Sequence, residues 1–161
     1  MDIISETVKW LKTDLLQGKS MVVYGLAILV TCILGRKSEN MLLKGMFFPS
    51  VLLAIMFISY GGNIVIRHTK KQKELFFAHQ ANKQIFYNDQ KARQEDLIKS
   101  YNTTLAIWTV AISAGLLIFF ITESDYFKGV ALGILILGIS AFVADSFFRQ
   151  SAKSYYENTF R

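Results

Sequence analysis

Four polar side chains stand within or at the ends of apolar stretches, where any chemistry of this chain would be expected: Tyr60, Asn63, Arg67 and Asp145. A polar group at membrane depth is costly, so each is a candidate for a pore or a pocket. Asp145 has Arg149 four residues on and Arg67 at a similar expected depth. It reads either as an ion or proton site or as half of a structural ion pair near the headgroups. Asn63, with Ser59, Tyr60, Gly61 and Gly62, forms the most polar patch of any apolar stretch. Its glycines would admit a close helix or a kink, and Asn63 could bond across that interface; the alternative is a constriction lined by Tyr60 and Asn63. Glu123 and Asp125 would form an outer pore mouth in a ring of subunits, or else an ordinary capped turn.

Catalytic and cofactor chemistry finds few residues. One cysteine, Cys32, cannot form the redox pair of a thiol oxidoreductase. The two histidines, His68 and His79, lie outside the apolar stretches. On one helix they would stand about 16 Å apart, too far to share a metal. No HExxH, P-loop or GxSxG motif occurs. No catalytic residue, metal or cofactor is therefore expected.

The elements that must position these residues follow from the charge pattern. Only 19% of the 161 residues are charged, against about a quarter in soluble domains, and the charges crowd between four nearly uncharged stretches. These are residues 21–35, 46–66, 103–121 and 130–148. The last three reach the about 17–25 residues that a spanning helix needs, and the first borrows from residues 18–20. Runs such as Leu132 to Leu137 do not alternate as barrel strands would. The expectation is an all-α, multi-pass membrane protein with four transmembrane helices.

The expected organisation is an interfacial amphipathic helix over 1–19, a transmembrane hairpin over 20–66, and a cytoplasmic helical segment over 67–102. A second transmembrane hairpin over 103–148 and a tail over 149–161 complete it. In the first unit Ile4, Val8, Leu11 and Leu15 share a face, with Asp2, Glu6, Lys9 and Lys12 on others. Trp10 suits the headgroup level, and Gly18 would end the helix. In the middle segment Phe77, Ala81 and Ile85 form a stripe broadened by Leu75, Phe76, Phe86 and Tyr87, and a break is expected at Asn88-Asp89. The N-terminal, middle and tail segments carry 14 of the 18 basic residues, which places them and both termini in the cytoplasm. Lys19 and the apolar run ending at Cys32 have the outline of a lipoprotein signal. Thr31 before Cys32 and the early acids Asp2 and Glu6 argue against it.

Small residues predict how the helices pack. Gly129 and Gly133 form a GxxxG with Gly138 and the pair Ser140 and Ala144 beyond it; Ala111 and Gly115 form a similar pair in the third stretch. Their surplus points to a homo-oligomer. The function expected first is a pore- or channel-forming subunit gated or assembled through its cytoplasmic segment. An accessory or immunity-type subunit that binds another membrane protein is the second, and an enzyme on a lipid-soluble substrate the third. The lipid bilayer is the expected partner throughout, and nucleic acid is not, since the charge of +6 sits on no recognisable nucleic-acid module.

Overall fold

A computed structural model describes residues 3–160, so Asp2 of the sequence reading and the last residue of the tail lie outside the described residues. The chain forms α1 (Ile3–Gly35), α2 (Met41–Ala81), α3 (Lys83–Ile121) and α4 (Asp125–Phe160), with no strand among the described residues. All four are long and apolar enough to cross a membrane. At 33 to 41 residues each runs about 50–60 Å, well beyond the about 30 Å of a hydrocarbon core. Each helix therefore has an apolar half and a polar half. The links 36–40 and 122–124 close one end of the bundle, and Asn82 alone links α2 to α3 at the other.

Two cores correspond to the two halves. The apolar half packs Met21, Leu53, Phe57, Leu137, Ala141 and Phe148. The polar half packs Trp10 and Leu11 from α1, Leu75 from α2, Phe86 from α3 and Tyr155 from α4. α2 and α4 form the central pair, α1 leans on α2, and α3 leans on α4 while barely touching α2. The residues expected to form a separate N-terminal helix, a middle hairpin and a tail thus make one second bundle, each helix contributing the side chain its neighbours bury.

Three local expectations are corrected. α1 runs unbroken through Gly18, so the expected turn into the membrane does not occur there. A methyl group at Gly18 would stand 2.9 Å from Ile64 Cγ2 and 3.2 Å from the Gly61 carbonyl, so this glycine serves a tight crossing with α2. The break expected at Asn88-Asp89 lies at Asn82, whose Oδ1 accepts from Gln84 N at 3.0 Å and Ile85 N at 3.1 Å. That cap accepts from two otherwise unbonded donors of α3 and lets Leu75 and Phe86 both face the core. The stripe of Phe77 and Ile85 faces outward, at 70% and 58% exposed, because Leu75 and Phe86 take the inner face.

The small residues face partners within the chain. A Cβ at Gly129 would strike the Leu42 carbonyl of α2, and one at Gly45 would strike the Tyr126 carbonyl of α4. Gly133 leaves room for Pro49, at 2.9 Å from an added methyl; Gly138 seats Ile112, and Gly115 seats Leu135. Ala111 is half-buried on α3. The glycines of that surplus are thus occupied by α2–α4 and α3–α4 packing, whereas Ser140 and Ala144 face the α1–α4 seam.

Candidate functional site

Where the two halves meet, α1, α2 and α3 leave a polar cleft of about 530 Å³. α1 contributes Asp14 and Leu11. α2 contributes Asn63 and Ile64, then Arg67, His68, Lys70, Lys71 and Glu74 over the next two to three turns. α3 contributes Arg93. The helical period places these α2 residues on adjoining rows of one side. Lys71 pairs with Asp14 at 3.5 Å and Lys70 with Glu74 at 3.8 Å, whereas Arg67 and Arg93 form no ion pair among the described residues. The Nε2 of His68 is buried without a hydrogen-bond partner among the described residues.

The Lys71–Asp14 pair is one end of a chain of contacts that ties three helices together. The Lys71 ammonium lies 4.5 Å from the centroid of the Trp10 ring, and Trp10 stacks on Tyr155 at 5.3 Å. The Tyr155 hydroxyl shares a 2.7 Å hydrogen bond with Thr7. Burial pushes the Asp14 carboxyl above the usual carboxylate range, with Lys71 offsetting only part of that rise. The same burial holds the Lys71 ammonium below the usual lysine range against the pull of Asp14. Desolvation therefore outweighs attraction, as in many ion pairs removed from water.

The pH consequence has a defined sign. The raised Asp14 value means that the folded bundle binds this proton more tightly than the unfolded chain. Its contribution is fully present below the ordinary carboxylate value and is lost as pH rises through the raised one. Lys71 behaves conversely: its contribution is present above the ordinary lysine value and fades as pH falls through the lowered one. Replacing both by apolar residues, D14L with K71M, is expected to be neutral or stabilising by about 1–4 kcal/mol at neutral pH. The advantage of that variant in thermal midpoint should shrink as pH falls through the raised Asp14 value. A pH-independent difference would show that Asp14 titrates normally.

A second opening follows the α1–α4 seam. Its polar part, about 280 Å³, includes Thr13, Gln150, Ser151, Ser154 and Asn158. Its apolar part, about 500 Å³, includes Met21, Phe57, Ile139 and Val143 together with the small residues Ser20, Ser140 and Ala144. Gln17 and Phe147 line both, so the two parts are continuous. Gln17 Nε2 donates to the Phe147 carbonyl at 3.4 Å, and the hydroxyls of Tyr24 and Ser140 meet at 3.3 Å.

The residues anticipated from sequence are distributed as follows. Asn63 and Arg67 line the basic cleft. Tyr60 lies one turn away with its ring edge on Phe148, at 5.7 Å, and Tyr101 of α3 stacks on that same phenylalanine at 6.3 Å. Asp145 is elsewhere: Trp108 Nε1 donates to its Oδ2 at 2.7 Å. The expected ion pair with Arg149 or Arg67 does not form among the described residues, because this face of α4 meets α3 and Arg67 opens into the cleft. Glu123 and Asp125 are both exposed at the end of the bundle closed by the short links. Asp14, Lys71 and Arg93 were not anticipated. The signal for them was the glycine in each of two adjacent helices, Gly18 and Gly61, which fixes the register of α1 on α2.

Comparison with protein-family models, with curated proteins and with solved structures gives no match to this chain.

Proposed function

We propose that this chain is a non-enzymatic membrane subunit that binds a helix of another membrane protein along its α1–α4 seam. The four helices cross the bilayer through their apolar halves. The polar halves stand together in the cytoplasm with both termini and the Asn82 link, in keeping with the basic residues gathered there. Because α1 is unbroken, its N-terminal half continues the span into that bundle instead of lying on the lipid surface. One observation carries the binding assignment. The seam is apolar beside the spans and lined mainly by amide and hydroxyl groups beyond them, and its apolar part carries the small residues Ser20, exposed, and Ser140 and Ala144, half-buried. A spanning helix that emerges into water has the same change of polarity, and small residues are what admit its backbone.

A channel built from a ring of copies is the competing proposal, with Glu123 and Asp125 at its mouth. Its support from small residues is reduced by the intrachain packing of Gly129, Gly133 and Gly138. A photoreactive phenylalanine analogue at Phe147, in the seam, compared with one at the exposed Phe120 of α3, separates the readings in native membranes. The partner-binding proposal expects an adduct at 147, absent at 120, that contains a peptide from a membrane-spanning segment of a different protein. An adduct to a second copy, with ion conductance in planar bilayers, would replace it by the channel. Lipid adducts alone at both positions would remove it.

A further inference from the structure

The basic cleft is separate from the seam and asks for a ligand of its own. Its two carboxylates, Asp14 and Glu74, pair with Lys71 and Lys70, so the cations without an ion pair among the described residues are the guanidinium groups of Arg67 and Arg93, the latter attracted by Asp14 only at longer range. They come from different helices, α2 and α3, and open into the same 530 Å³ space. Guanidinium forks match the oxygens of a phosphate two at a time, which a lysine point charge does not. The Nε2 of His68, buried without a partner among the described residues, and the amide of Asn63 add hydrogen-bonding capacity to the same wall. A buried polar atom without a partner in the protein calls for one from outside it.

Position narrows the ligand further. Asn63 and Ile64 end the apolar half of α2, and Arg67 begins its polar half. With the apolar halves in lipid, the cleft opens at the depth where phospholipid headgroups lie, and basic pockets between spanning helices on this side suit anionic headgroups. We infer that the cleft is a binding site for a phosphate-bearing anion, supplied by an anionic phospholipid headgroup or by a soluble phosphate ester, with Arg67 and Arg93 as its two clamps. A phosphate there would bridge α2 to α3, which otherwise barely touch.

The test uses the purified full chain in detergent, offered phosphatidylglycerol or phosphatidylcholine and weighed intact by native mass spectrometry. Thermal midpoints with glycerol phosphate form the soluble arm. Wild type should retain one phosphatidylglycerol in preference to phosphatidylcholine. R67Q/R93Q should lower that retention on the order of a hundredfold, since each charge-assisted contact carries about tenfold or more. K73Q/K99Q removes the same charge from two exposed lysines outside the cleft and should leave retention unchanged. R67K/R93K keeps the charge without the fork and should fall between wild type and R67Q/R93Q. Stabilisation by glycerol phosphate without lipid retention would assign the cleft to a soluble ester. The inference is overturned if wild type holds both lipids equally and ignores glycerol phosphate, a result that needs no variant to fold. It is also overturned if K73Q/K99Q loses as much as R67Q/R93Q, which would mean diffuse attraction. Since Phe147 takes no part in this site, the outcome is independent of crosslinking at the seam.

Discussion

Gly129→Leu is expected to abolish the folded bundle, with the protein recovered as aggregate from membranes that yield the wild type as a single species. A first side-chain carbon at Gly129 already collides with the Leu42 carbonyl, and the facing Gly45 is equally closed by the Tyr126 carbonyl. These neighbours are backbone atoms of two helices, so no side-chain rotation relieves the contact. Overpacking commonly costs about 1–3 kcal/mol, and more where the backbone itself must move. Inside lipid the loss is compounded, because close contact is what holds helices together when the hydrophobic drive is absent. Even Gly129→Ala should lower the thermal midpoint in detergent measurably. Gly62→Ala is the matching control: an added methyl there meets nothing within 4 Å, so the change should stabilise the helix by up to about 1 kcal/mol. Equal behaviour of the two alanine variants would show that α2 and α4 do not meet at Gly129.

Trp10→Ala should open the polar half while sparing the apolar one. Trp10 is 7% exposed, stacked on Tyr155 and covered by Lys71, so its removal leaves a cavity at the junction of α1, α2 and α4. Large aromatic deletions from a core cost about 3–5 kcal/mol, a large share of what a small bundle has. Limited trypsin digestion should then cut at Lys12, Lys71 and Lys153 at rates many times those of the wild type, while the fragments spanning the apolar halves stay intact. Had Trp10 been a headgroup anchor, as its position in the sequence suggested, the same variant would alter membrane partition and leave those cleavage rates alone.

That contrast shows what the sequence can and cannot convey. The four apolar helices were legible because charge is excluded from lipid, a constraint each segment obeys alone. The boundaries were less so. Gly18 looked like a stop, since glycine lacks helix propensity, yet α1 continues because Ile64 and Gly61 need the space a side chain would fill. The exposed stripe of Phe77 and Ile85 and the buried pair of Leu75 and Phe86 are interleaved in one short segment, and the position of Asn82 decides which turns inward. Small residues announce close contact without naming the contact's other side; Gly129 and Gly133 pointed as readily to a second copy as to α2. Of the candidate site, Asn63 and Arg67 were visible as polar groups at the edge of an apolar run. Their companions Asp14 and Arg93 lie on other helices and resemble any solvated charge until the register of three helices is known.

The Thr7–Tyr155 hydrogen bond joins residues 148 positions apart. A ribosome delivers α1 first, so Thr7 and Trp10 must wait through the making of three further helices before their cover arrives. During synthesis the N-terminal segment therefore stays unshielded until α4 is complete. Any truncated product lacking the last turns of α4 leaves that tryptophan without its Tyr155 cover.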